Sequence, residues 1–222
     1  MRLFITATGT GVGKTYVTAA LLRVARLRGL RSRAVKPLLS GFDPSEGEND
    51  AALLLAAQGL PPAMIDTVSP WRYVAPLSPD MAAARQGETV PVDAVIAFTQ
   101  TALRGQEDVV LIEGVGGAFV PLDERRTVAD WIAACPMAWP VVVAGSYLGT
   151  LSHTIATVRA MEARGIPPVA VVLSESLGDP PPLAETMASL SRHLPGLAIW
   201  PLPRGGDGDA LFDALRAAAT SA

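Results

Sequence analysis

The chain has 222 residues, half of them hydrophobic and 18% charged, with a formal net charge of −3. That balance excludes a disordered or nucleic-acid-coating protein, makes nucleic acid and membrane poor partners, and suffices for one α/β domain, 1–222, with a buried core. The single cysteine, Cys135, excludes an intramolecular disulfide and points to a reducing cytoplasm. The short apolar start does not read as a signal peptide, and no apolar run reaches membrane-spanning length free of charge or proline.

In chain order, six apolar runs read as strands: Leu3–Thr6, Ser32–Lys36, Val109–Glu113, Pro140–Ala144, Val169–Ser174 and Leu197–Pro201. Several are continuous rather than alternating (VVLIE, PVVVA, VAVVLS), the pattern of strands buried on both faces. Between them, helical spacing marks Thr15–Leu27, Asp50–Gly59, Val92–Leu103, Thr127–Ala133, Thr150–Arg164, Pro182–His193 and Asp209–Ala219. The alternation predicts a doubly wound, mainly parallel sheet with helices on both faces. Thr67–Gly87 is proline-rich and irregular, and reads as a long functional loop crossing the carboxyl ends of the strands.

The first strand runs into a Gly/Thr-rich turn and then into Gly13-Lys14-Thr15 at the start of a helix. This is the order of a P-loop NTPase. Glycine-freed N–H groups line a phosphate, the lysine reaches the β/γ oxygens, and the threonine hydroxyl takes Mg2+. The helix adds roughly +0.5 charge at its N-terminus. The loop is a variant, with Thr8 where the motif has its first glycine. Gly11, Val12, Gly13, Lys14, Thr15 and Tyr16 are its candidate nucleotide-binding residues.

Ligands in such folds sit beyond the carboxyl ends of the strands. Lys36 closes the second strand, ahead of Pro37, where a second lysine would neutralise charge growing on a transferred phosphoryl group. Asp50 opens a helix and reads either as a dipole-favoured first-turn acid or as a Mg2+ ligand. Glu113 follows four apolar residues and precedes a glycine-rich turn containing Gly114, Val115 and Gly116. An acid there is costly unless a cation or donors meet it, which favours a metal role.

Taken in order, FITATGTGVGKT, KPLLSG, NDAALL, APLSPDMAA, LIEGVGGAFVPL, TVADWI and LGTLSHT resemble dethiobiotin synthetase over residues 4 to 154. The resemblance implies ATP-driven ring closure of 7,8-diaminononanoate with CO2 (or bicarbonate). A carbamate and a carbamic-phosphoric anhydride would be the intermediates. It implies Lys14 and Lys36 as catalytic residues, and Thr15, Asp50 and Glu113 around Mg2+. Thr10 and Ser40, with Ser78, would meet the polar head of the substrate. It also implies a homodimer with active sites at the interface, the substrate carboxylate lying at Thr150, Leu151 and Ser152. The alternative for Thr150 and Ser152 is that they cap their own helix.

The base pocket would be Ser174 and Glu175, with Pro201, Leu202 and Pro203 as a rigid apolar turn. Here the chain departs from the family's Asn-Asp, which leaves other triphosphates such as CTP open beside ATP. The phosphate loop departs too, with Ala7 for a glycine and Gly9 and Gly11 for acids. Beside the ATP-dependent amidases of this domain type, which carry an additional glutamine-hydrolysing domain with a nucleophilic cysteine, the rival is a nucleotide-driven switch. Such proteins carry an additional lysine early in the loop, and none precedes Lys14. The four tryptophans read as packing groups, and two histidines make a histidine metal site improbable.

Overall fold

The computed structural model describes residues 1–45, Gly47 and 49–221; of the acidic stretch before Asp50, Glu46 and Glu48 lie outside the described residues. Six strands form one sheet: β1 (Arg2–Ala7), β2 (Ser32–Val35), β5 (Val109–Glu113), β6 (Trp139–Gly145), β7 (Ala170–Ser174) and β8 (Ala198–Leu202). Their order is β2-β5-β1-β6-β7-β8, and every pairing is parallel. These are the six runs read from the sequence.

The continuous apolar runs follow from two cores on one sheet. Leu3 and Ile5 of β1, with Val109 and Leu111 of β5, enter the core beneath α1 (Lys14–Leu27), α2 (Asp50–Gln58) and α9 (Asp209–Ser221). Phe4, Val110 and Ile112 point the other way, toward α5 (Val92–Leu103), α6 (Val128–Ala133), α7 (Thr150–Ala163) and α8 (Leu183–His193). Side chains alternate along a strand, so both positions must be apolar when both faces are covered. Trp131 sits in this second core, edge-on to Phe4 at 4.9 Å and donating Nε1–H to Thr99. It is a packing group, as expected. Among the described residues no single helix is long and apolar enough to cross a membrane.

The region read as a long irregular loop is structured instead. It contains the end of α3 (Ile65–Val68), the strand β4 (Trp71–Tyr73) and α4 (Pro79–Arg85). β4 pairs in parallel with β3 (Leu38–Ser40), Leu38 opposite Trp71 and Ser40 opposite Tyr73. Three-residue strands have no readable period, and this pairing joins segments far apart in the chain. What survives of the expectation is position: Pro76, Leu77, Ser78 and Pro79 face the cavity at the carboxyl ends of the strands.

Candidate active site

The phosphate loop is held by its neighbours before any ligand is considered. Gly13 has φ 101° and stands as N-cap of α1 with no side-chain cap. The first N–H groups of α1 therefore have no helical partner and point out of its N-terminus. The turn after β5 is strapped to this loop: Gly114 N–H donates to Ile5 O and Ala118 N–H to Ala7 O, both at 2.9 Å. Gly117 presses on it so closely that a Cβ there would lie 3.2 Å from Gly9 N.

Lys36 is placed by its backbone. Its N–H donates to Val68 O (2.9 Å), and its carbonyl accepts from the buried Ser69 hydroxyl. Pro37 then ends β2, since proline brings no donor to the ladder. Asp50 is set by its helix, whose N-cap Asn49 accepts from Ala52 N–H at 3.0 Å. Glu113 ends β5, flanked by β1 and β2, and is completely buried.

These elements converge. Lys36 Nζ donates to Glu113 Oε1 at 2.8 Å and also to Asp50 Oδ2. Thr15 Oγ1 donates to the same Glu113 oxygen at 2.6 Å. Lys14 Nζ instead donates to backbone carbonyls, Gly116 O at 2.7 Å and Gly9 O at 3.3 Å. Burial acting alone would depress the Lys36 ammonium, but Glu113 and Asp50 outweigh it and hold Lys36 above the ordinary lysine value. Burial works against the Asp50 carboxylate as well, and Lys36 more than offsets it, so Asp50 stays below the usual range. Lys14 has no such partner. Burial, then the charge of Lys36, pushes it down to about 8.

A cavity of about 690 Å³ opens over this cluster. Its lining gathers Thr10, Gly11, Gly13, Lys14, Thr15, Tyr16, Lys36, Ser40, Asp50, Ser78, Val115 and Gly116 from five parts of the chain. Sequence reading missed Leu39, Leu53, Pro76, Leu77, Pro79 and Val120, apolar walls that carry no chemical signature of their own. Ser40 Oγ is buried without a hydrogen-bond partner, as is Glu113 Oε2. Among the described residues no three His, Cys, Asp or Glu side chains cluster to hold a metal. The hard oxygen donors are Thr15, Asp50 and Glu113, and the orphaned Glu113 Oε2 is a buried acceptor that a cation would satisfy. That set fits Mg2+, which takes one or two carboxylates and completes its shell with phosphate and water.

Other candidates lie elsewhere. Val12 is buried in the core with α1, and Gly114 packs against Phe4. Pro201 and Leu202 are not in a turn: they end β8, and Leu202 is buried. The strand continues because Pro201 sits at the sheet edge, where its missing N–H costs no ladder bond. Ser174 is buried beside Gly13. Beyond it, Glu175 Oε2 accepts from Arg204 N–H (2.8 Å), and Arg204 Nε donates to Glu175 O (2.7 Å). The Arg204 guanidinium lies 4.7 Å from the Tyr16 ring centroid. Tyr16 OH donates to Pro203 O at 2.9 Å and accepts from Gly205 N–H at 2.8 Å. Arg204 is thus a site-flanking residue that sequence reading missed; its only signal was its place just after Pro203.

Thr150, Leu151 and Ser152 do not line the cavity of their own chain. Their helix starts on Gly149 without a side-chain cap, so the capping alternative fails. Thr150 Oγ1 donates back to Gly145 O at 2.6 Å, while Leu151 and Ser152 are exposed. Cys135 is buried and burial pushes its thiol up to about 12, which leaves no activated nucleophile there.

Known proteins resemble this chain in sequence and in fold. A family described as AAA domain matches residues 1–202. The ATP-dependent dethiobiotin synthetase BioD of Acidiphilium cryptum is 48% identical over 195 residues, covering 86% of this chain and 87% of its own length. That of Methylobacterium nodulans is 41% identical over 213 residues, covering 92% and 93%. Among solved structures, a MinC:MinD cell division protein complex from Aquifex aeolicus superposes with a TM-score of 0.51 at 15% identity, covering 98% of this chain and 92% of that one. At that identity the likeness is one of fold alone.

Proposed function

This chain belongs to the dethiobiotin synthetase family, and from that premise we propose that the Lys36–Asp50–Glu113 cluster and the phosphate loop together carry its reaction. The activity is the ATP-dependent closure of 7,8-diaminononanoate with CO2 to dethiobiotin, a cyclo-ligase step of biotin biosynthesis. The observation that carries the assignment of residues is the convergence of Lys14, Thr15, Lys36 and Asp50 in the lining of one cavity, with the fully buried Glu113 bonded to Thr15 and Lys36 behind it, beside the open N-terminus of α1.

The triphosphate sits on the free N–H groups of α1. Lys14 turns from the Gly116 and Gly9 carbonyls to the β/γ oxygens. CO2 adds to one amine of the substrate, which loses a proton as the carbamate forms. A carbamate oxygen attacks the γ-phosphorus and ADP departs; the second amine attacks the resulting anhydride carbon and phosphate leaves. Lys36, at the cavity floor, stabilises the carbamate and the phosphoryl charge as it shifts toward the acceptor. Thr15, Asp50 and Glu113 would hold Mg2+, which would supply screening of the triphosphate charge.

Thr10, Ser40 and Ser78 receive the diamine head, Ser40 with a hydroxyl that has no protein partner. The far carboxylate goes to Thr150, Leu151 and Ser152 of a second copy, which makes the working enzyme a homodimer with its sites at the interface. Three features support this. The N-terminus of α7 is uncapped by side chains, it lies outside its own chain's cavity, and the nearby Leu148 and Leu177 are almost fully exposed. Ser174 is occupied by packing on Gly13, so reading of the base falls to Glu175, Pro203 and Arg204. ATP is the co-substrate, with CTP the main competitor to test. The free, buried Cys135 suits a reducing cytoplasm.

The test is phosphate release from purified protein with Mg-ATP and bicarbonate, with and without 7,8-diaminononanoate, repeated with CTP and GTP. Release that requires the diamine and matches dethiobiotin formed is the expected result. Release indifferent to the diamine would remove these residues from ring closure and favour a nucleotide-driven switch.

A further inference from the structure

The cluster at the cavity floor is balanced in charge. Two ammonium groups, Lys14 and Lys36, stand with two carboxylates, Asp50 and Glu113, and these are the charges that act on Lys14. The balance is built in at short range. Lys36 Nζ contacts both carboxylates, and it is 3% exposed, so bulk water does little to screen it. Glu113 spends Oε1 on Lys36 and Thr15 and keeps only Oε2 for another partner.

From this geometry we infer that Lys36 is a resident counter-cation that makes divalent-metal binding conditional on nucleotide. The inference rests on the reading of Thr15, Asp50 and Glu113 as metal ligands. Two carboxylates alone would draw a divalent cation strongly in a buried site, because Coulomb attraction there is much less screened than in water. Two lysines among them cancel that attraction. The site regains a net negative charge only when a triphosphate arrives, and the metal enters with it. Such a device keeps Lys36 charged, seated and aimed at the cavity until substrate is present. It also keeps the paired acids from holding a free cation that would have to be displaced.

The test measures Mn2+ binding by the full chain from the electron paramagnetic resonance signal of free Mn2+, with and without a non-hydrolysable ATP analogue. Wild type is expected to bind Mn2+ weakly alone and tightly with the analogue. Lys36→Met is expected to tighten nucleotide-free Mn2+ binding by at least about tenfold, since a like charge near the cation is removed. Adding Glu113→Gln should cancel that gain. Should Lys36→Met fail to fold, Lys14→Met carries the same test, because Lys14 contributes charge without touching either carboxylate; a smaller tightening is expected. Unchanged or weaker nucleotide-free binding in the folded variants would overturn the inference. If Mn2+ binding with the analogue did not depend on Glu113, the metal-ligand reading itself would fall, and this inference with it. Glu113-dependent binding with the analogue but no gain in the lysine variants would overturn the charge-balance role alone.

Discussion

Ser174, the last residue of β7, packs directly against Gly13 of the phosphate loop: a Cβ built on Gly13 would lie 3.0 Å from Ser174 Cβ and closer still to its hydroxyl. The end of a strand three places along the sheet from β5 therefore sets where the phosphate loop can lie. Glycine is required at position 13 twice over, for that approach and for its φ of 101°.

Gly13→Ala is accordingly expected to lose about 1–3 kcal/mol of stability through strain and to abolish tight nucleotide binding. Urea unfolding and titration with a fluorescent ATP analogue measure the two effects. Ser174→Ala should do neither, because its hydroxyl is buried without a partner and its removal breaks no hydrogen bond. A large loss of nucleotide affinity in Ser174→Ala would mean that the hydroxyl, not the packing, is what the loop needs.

From sequence, Lys36→Ala would be expected only to stop turnover. The structure adds a folding cost, since the completely buried Glu113 would lose the cation that donates to it. Breaking such a pair from one side costs about 3–5 kcal/mol. Lys36→Ala should therefore be strongly destabilised, and Lys36→Ala combined with Glu113→Gln should regain most of the loss. A double-mutant cycle by urea denaturation gives the coupling directly; additive effects would show that the two side chains are not paired in solution.

Lys14 lies at about 8, lowered first by burial and then by Lys36. Bound phosphate raises it again, because an anion favours the ammonium. Below pH 8 Lys14 is already charged, and binding takes up little proton. Above pH 8 it is neutral in the free protein, so binding must take up a proton and affinity must fall as pH rises. Calorimetric titration of the ATP analogue in buffers of different ionisation enthalpy should show proton uptake at pH 9 and much less at pH 7. Lys14→Met should lose that difference.

Tyr16 ties α1 to the turn after β8 through Pro203 and Gly205. Tyr16→Phe removes two exposed hydrogen bonds, each worth about 0.5–1.5 kcal/mol at most. The expected result is a rise of a few fold in KM for ATP with kcat little changed, and faster hydrogen exchange at the Gly205 amide. A fall in kcat at unchanged KM would place Tyr16 nearer the chemistry than the base.

The sequence by itself determined the sheet and the phosphate-binding start of α1. Both are written locally: VVLIE must be apolar at every position because both faces are covered, and Gly13-Lys14-Thr15 does its work within one turn of chain. It also named Lys36 and Glu113, each a charge closing an apolar strand, and offered Asp50 as either a first-turn helix acid or a metal ligand. Only the tertiary structure decided what those residues do to one another. Lys36 and Glu113 are 77 positions apart and meet because β5 lies beside β2, which no local pattern states. The same holds for β3 and β4, too short to have a period and stable only as a pair. It holds for Leu202, drawn into β8 and the core rather than a turn, and for Arg204, an ordinary surface arginine until Tyr16 and Glu175 are brought to it. Propensity and periodicity act over a few residues, whereas burial and charge pairing act across space, and the site is made of the second kind.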